Sequence, residues 1–257
     1  MSTESTPSAA IAAVRSSHDR LAGLLTTLPE AEHTRQSYDD DWSVAQVASH
    51  LGSQAQIFEL FLDAGADGLE PPAIEQFRAI WSHWDAMEPA EQVRSSLEAD
   101  EHLVERLEGL GDGEHDLSVD MFGERRDVAG IAGLRLGEHA LHTWDIAVAL
   151  DPSATVSPEA VELLVDTLPT LAGRAGRPSA TPATVRVSAA GPDHTFVVTT
   201  GPDVSIGPGS GDEPADVLLP TEALVRLVYG RLDEDHTPAD VVGAEHLVAL
   251  REVFPGF

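Results

Sequence analysis

The sequence predicts an α+β protein, with a bundle of helices over residues 1–152 followed by a small C-terminal α/β sheet domain over residues 153–257. Three observations carry that prediction. Apolar residues recur at intervals of three, four and seven through most of the first 150 positions, which is helix spacing. The texture changes after Asp151-Pro152. Beyond it, Thr184-Val185-Arg186-Val187-Ser188 alternates polar and apolar residues, and a β-rich run, Thr195 to Thr200, follows Gly191-Pro192-Asp193, as paired strands do. A chain of 257 residues can bury a core in each part.

The first helix spans about 8 to 28, with Ile11, Val14, Leu21, Leu24, Leu25 and Leu28 forming one stripe before Pro29. Ser43 with Gln46 makes a capping box ahead of Val44, Val47, Leu51, Ala55, Phe58 and Phe61, so a second helix covers about 43 to 64. Pro71-Pro72 opens a third through Phe77, Trp81 and Trp84, an aromatic stripe read as core. Glu88-Pro89 opens a fourth that runs to Gly109. A Gly- and Asp-rich loop, Gly111 to Asp116, and a short segment around Val119 to Phe122 lead into a helix over about 127 to 151. In the second part, Ser157-Pro158-Glu159 starts a helix and Gly173 to Pro182 reads as a linker or long turn. Asp203 to Ile206 and Ala215 to Leu219 are weaker strands around a Gly207 to Gly211 turn, which lacks the order of a phosphate-binding loop. Helices begin at Thr221 and at Ala244.

Composition narrows function. Fifteen basic against 44 acidic residues leave a formal charge of −29, which repels phosphate backbones and acidic lipid surfaces. Nucleic-acid and membrane partners are therefore not expected. No apolar run approaches the roughly 18 residues of a membrane-spanning helix, and Met1 to Pro7 carries no basic segment followed by an apolar one; a cytoplasmic protein is expected. No feature sets an oligomeric state. The chain contains no Cys, Lys or Asn. Cysteine nucleophiles, disulfides, thiolate metal sites, Schiff-base lysines and P-loop lysines are all excluded, so any thiol chemistry must use a thiol from outside.

The candidate site comes from two remote stretches. Glu138 and His142 are four apart, one above the other on a helix, and His50 lies on or beside the inward face of the second helix. Two imidazoles and a carboxylate suit a catalytic Zn²⁺ or another divalent metal with a position left open. The plainer alternatives are a hydrogen-bonded core histidine for His50 and an ordinary surface pair for Glu138 and His142. Carboxylates and imidazoles on the otherwise apolar face of Ile131, Leu134, Leu141 and Ala149 are costly unless paired or bound to metal. Asp145, on that face one turn beyond His142, is a candidate to orient a ligand imidazole. His139 points about 100° away from Glu138 and is expected at the surface or boundary. Trp42 and Trp144 are expected to pack at helix ends, and the remaining histidines show no ligand spacing.

With these residues laid out, the chain resembles the mycothiol-dependent maleylpyruvate isomerase family. The resemblance rests on Asp41-Trp42-Ser43-x6-His50 and on Arg135-x2-Glu138-x3-His142-x-Trp144-Asp145, and it extends over nearly the whole chain. It implies a DinB-like four-helix bundle in which His50, Glu138 and His142 hold a divalent metal, usually zinc; Asp145 and Arg135, on the same helix, are expected behind the ligands. It further implies a small C-terminal domain that supplies an arginine. Tyr229-Gly230-Arg231-Leu232 looks like that segment, which makes Arg231 the candidate and Arg226 its competitor.

The resemblance also implies mycothiol as thiol cosubstrate and a small electrophile, carboxylate-bearing in the family's namesake reaction, for isomerisation or S-transfer. Two other readings stand beside it: a metal-dependent hydrolase using zinc-bound water, and a non-catalytic metal-binding or regulatory protein on the same bundle.

Overall fold

The computed structural model describes residues 7–111, 114, 117–210 and 213–256. It divides into two compact units, Met1–Thr155 and Val156–Phe257.

In the first unit, α1 (Pro7–Leu25), α2 (Val44–Ala66), α4 (Pro89–Glu108) and α5 (Val128–Leu150) form a four-helix bundle, and α3 (Ile74–Asp85) packs on α2. Local sequence sets the helix ends. The Ser43 side chain accepts from the Gln46 backbone N–H while the Gln46 side chain accepts from the Ser43 N–H, so the expected capping box forms. Asp127 caps α5 by accepting from the Gly130 N–H. The segment expected around Val119 is β1 (Ser118–Met121), paired antiparallel with β2 (Glu124–Asp127). Of the loop expected from Gly111 to Asp116, residues 112–113 and 115–116 lie outside the described residues, as do residues 1–6 and Gly211 of the glycine-rich turn.

The bundle buries two apolar clusters. One joins Ile11, Phe58, Leu62, Leu103, Leu107 and Ile131; the other joins Leu21, Leu25, Val44, Leu51, Val93 and Ile146. A belt of polar side chains crosses the bundle between them, at His18 on α1, Gln54 on α2, Asp100 on α4 and Arg135 to His142 on α5. The α2 and α4 backbones approach closely beside it. A Cβ on Gly52 would lie 2.2 Å from the Trp84 ring and 2.8 Å from Ser96 Cα, so no larger residue fits there. Trp84 and Phe77 are core as expected, but Trp81 stands 41% exposed.

The second unit begins with α6 (Pro158–Leu164), capped by Ser157, and α7 (Leu168–Ala175). A four-stranded sheet follows in the order β5-β4-β3-β6. The expected hairpin is β3 (Ala183–Ala190) with β4 (His194–Thr200), joined through a cis Gly191-Pro192 bond. β5 (Ser205–Pro208) pairs antiparallel with β4, and β6 (Val217–Pro220) runs parallel to β3. Two expectations are corrected. Helix α7 extends through Gly173, placed above in a linker, because Leu168 and Ala172 share a buried face. Gly207 and Pro208, placed in a turn, continue β5, because Gly207 pairs with Val197 and Pro208 with Phe196. Helices α8 (Thr221–Val228) and α9 (Leu247–Val253) complete the unit. No helix among the described residues is long and apolar enough to cross a membrane.

Candidate metal centre

Helices α2 and α5 bring His50, Glu138 and His142 together. His50 Nε2 lies 3.6 Å from Glu138 Oε2, and His142 Nε2 lies 3.8 Å from the same oxygen. These separations are too long for hydrogen bonds. They match a shared ion: ligand bonds of about 2.1 Å in tetrahedral array put neighbouring donors about 3.4 Å apart. One donor atom from each residue lies within 4.8 Å of the others. His50 Nε2 is buried and has no hydrogen-bond partner, an arrangement that is costly for a ring nitrogen unless it ligates. The donor set and its spacing therefore fit a divalent ion.

Protonation favours the same use. Burial lowers the His50 pKa and keeps the ring neutral, as a ligand must be. Burial alone would raise Glu138, but the two imidazoles facing it and the Gln54 amide hold its carboxyl at about 2. The His50 and Glu138 side chains are partly exposed, keeping 26% and 31% of their accessible surface.

The surrounding residues fix the ligands. Asp145 is fully buried, and its Oδ2 lies 2.8 Å from His142 Nδ1, which leaves Nε2 directed at Glu138. Trp42 lies over the imidazoles, with ring centroids 4.9 Å from His50 and 6.0 Å from His142. The loop that carries it is pinned. The Trp42 carbonyl accepts from the Ser37 N–H, the Ser37 hydroxyl and the Gln36 amide, and the Tyr38 N–H donates to the Asp145 carbonyl. Trp144 packs as expected, donating its indole N–H to the Ala154 carbonyl.

Arg135 is fully buried behind the site. It donates to the Gln54 side-chain carbonyl, to the Leu51 carbonyl and to Asp100. In the second unit, Arg226 makes a two-pronged pair with Glu222 and donates to the carbonyls of Arg231 and His236. Its guanidinium is committed to holding that segment. Arg231, half-buried, donates to the Tyr229 carbonyl.

One expectation fails plainly. His139, placed at the surface or boundary, has no exposed surface. Its Nε2 lies 2.7 Å from Asp100 Oδ2 and its Nδ1 lies 2.8 Å from the Ser17 hydroxyl. Helix α5 is packed on several sides, so a turn of 100° leads from one buried face to another. His18, passed over as a scattered histidine, joins the group with Nδ1 2.7 Å from the same Asp100 oxygen and Nε2 2.8 Å from Glu101. These 2.7 Å separations are hydrogen-bond lengths, shorter than ions leave between their donors. With Arg135 on the other Asp100 oxygen, this is a proton-linked cluster and not a second metal centre. A signal for it exists in the sequence: α5 carries no charged outer face, so its few polar residues have to be inside.

The likeness to known proteins agrees with this geometry. Two solved structures match over 88% of this chain and 89% of theirs, each at 14% identity and a TM-score of 0.65. One is a mycothiol-dependent maleylpyruvate isomerase, and the other is a histidine-to-alanine variant of that isomerase. At that identity the likeness establishes the fold. No curated protein matches by sequence. A family model described as the mycothiol maleylpyruvate isomerase N-terminal domain matches residues 14–147, which take in all three candidate ligands and more than half the chain. The chain belongs to the mycothiol maleylpyruvate isomerase family.

Proposed function

We propose that this member of an enzyme family is zinc-dependent and mycothiol-dependent, and that it joins a thiolate to a small electrophile for isomerisation or S-transfer. The observation that carries the reading is the convergence of His50 Nε2 and His142 Nε2 on one oxygen of Glu138 at ion-sharing distances, between side chains that are themselves partly exposed. Zinc held by two neutral imidazoles and one carboxylate supplies a formal charge of about +1, which lowers the pKa of a thiol presented to it. The chain has no cysteine, so that thiol comes from a cosubstrate, and the family's own is mycothiol.

The chain's residues then bind and orient. Asp145 holds the His142 ring with Nε2 forward, and Trp42 walls the imidazoles on one side. Arg231 pairs with a substrate carboxylate through two parallel N–H bonds and offsets the negative charge that addition places on the adjoining carbonyl oxygen. For an isomerisation, the sulfur adds to one carbon of a cis double bond, the remaining single bond rotates, and expulsion of the same sulfur restores the double bond as trans. For S-transfer, the protonated adduct leaves.

The deciding experiment uses the purified protein, assayed for its metal and then turned over with candidate electrophiles in the presence and absence of mycothiol, with mass spectrometry for adducts or isomers. Conversion that requires both zinc and mycothiol is expected. Equal conversion without the thiol, to products that together carry one added water, would establish hydrolysis by activated water instead.

A further inference from the structure

We propose that Gln54, with Arg135 and Asp100 buried behind it, forms a relay that positions Glu138 to receive the ion. The inference rests on the metal reading above and assigns the residues that aim its carboxylate.

Gln54 stands one helical turn beyond His50 on α2, and its amide nitrogen lies 2.7 Å from Glu138 Oε2. That is the oxygen nearest both imidazoles. A glutamate side chain has three rotatable bonds and, without a partner, would sample orientations that carry Oε2 away from the histidines. The amide donor fixes one direction on that oxygen and leaves the side facing the imidazoles available. Gln54 is itself oriented. Its carbonyl oxygen accepts from Arg135 Nη1 at 2.9 Å. A guanidinium only donates and a carboxylate only accepts, so the amide cannot be reversed without placing donor against donor and acceptor against acceptor.

Arg135 is anchored in turn. Its other terminal nitrogen donates to Asp100 Oδ1 at 2.7 Å and to the Leu51 carbonyl at 3.0 Å, and neither charged side chain reaches solvent. Asp100 Oδ2 takes the ring nitrogens of His18 and His139. The two Asp100 oxygens thus tie α1, α4 and α5 together, and the opposite end of the arginine reaches the ligand through a single amide. The Arg135 Nε is buried without a partner, but both terminal nitrogens are held, so the fork of the guanidinium has little freedom to move. These three are positioning residues: none has a donor atom at the ion, and each acts through the next.

The test measures zinc affinity by chelator competition, with Co²⁺ substitution to read the ligand geometry from its visible absorption. In Gln54→Met, which keeps the size and removes both polar atoms, the zinc dissociation constant is expected to rise about 10–100-fold in protein whose far-ultraviolet signal shows it folded at the assay temperature. The Co²⁺ spectrum is expected to shift. Gln54→Glu retains the acceptor for Arg135 but sets an oxygen against Glu138, and it is expected to weaken binding as well. Arg135→Lys replaces a planar fork by a point charge that cannot hold Gln54 and Asp100 together.

Because Arg135 acts through Gln54, the double variant Gln54→Met with Arg135→Lys should bind zinc no more weakly than Gln54→Met alone. A merely structural role for Arg135 would make the two losses multiply. Zinc affinity unchanged in Gln54→Met, or losses that multiply in the double variant, would overturn the relay while leaving the metal centre in place. Failure of the unmodified protein to take up zinc would remove the metal reading, and the relay with it.

Discussion

Asp100→Asn is the sharpest test of the polar belt, because the substitution changes one atom in a buried cluster. Asp100 accepts at Oδ1 from Arg135 and at Oδ2 from His18 and His139. An asparagine brings one acceptor and one donor group. In one orientation its NH₂ faces two imidazole nitrogens; in the other it faces the guanidinium. Against the guanidinium a buried donor meets a donor, and against the imidazoles the NH₂ is accepted only if both rings present an unprotonated nitrogen; in both cases Arg135, with no exposed surface, loses the charge that offsets its own. Breaking one side of a buried ion pair costs about 3–5 kcal/mol. For a protein of this size that corresponds to a fall of about 6–20 °C in melting temperature.

The assay is urea and thermal unfolding of the metal-free protein, followed by the helical far-ultraviolet signal that the first unit dominates. The pH dependence gives an independent sign. His139, Arg135 and His18 hold the Asp100 carboxyl well below its ordinary 3.8 despite burial, so its stabilisation is present above that pH and is lost as pH falls toward the folded value. Burial opposes charge on His18, but the carboxylates of Asp100 and Glu101 raise its pKa above 6.5. Its contribution is therefore full below pH 6.5 and lost as pH climbs through the folded value. The Asn variant should flatten the acid limb and shift the alkaline one downward. A loss below about 1 kcal/mol with an unaltered pH profile would refute the reasoning.

Four further outcomes are expected. His50→Ala should reduce bound metal from about one ion per chain to almost none, since two ligands seldom retain zinc; full retention would remove His50 from the centre. Asp145→Asn should weaken zinc binding about 10–100-fold by freeing the His142 ring, measured by chelator competition. Arg231→Leu should cut kcat/KM for a carboxylate-bearing electrophile and leave metal content intact, and an unchanged kcat/KM would rule that arginine out as a substrate contact. Gly52→Ala should destabilise the bundle by about 1–3 kcal/mol in urea, because the new methyl group meets Trp84 and the α4 backbone; an unaltered midpoint would contradict the close approach.

Much of this was legible before any coordinates. The stripes of α1, α2 and α4, the Ser43 and Gln46 cap, and the hairpin about Gly191-Pro192 follow from local chemistry, and the structure contains each of them. The three candidate ligands were readable because Glu138 and His142 share a face and His50 lies on an inward one. What escaped depends on assembly. Asp100 sits in an acidic run with Glu98 and Glu101 that looks like a solvated face, and only the packing of α4 against α1 and α2 turns it inward. Strand β2 reads Glu-Arg-Arg-Asp, with no alternation, and exists because β1 pairs with it. Gln54 has no signal of its own, since its role is set by a carboxylate 84 residues away.

The belt between the two apolar clusters also governs how the helices come together. Greasy surfaces tolerate sliding, and a bundle held by leucine and valine alone would accept neighbours displaced by a turn. Here a one-turn slip of α4 would leave an aspartate, an arginine and two histidines facing hydrocarbon. The four partners are satisfied jointly or not at all, so the bundle closes as one event and in one alignment. The ligand cage is therefore complete only once that alignment has been reached.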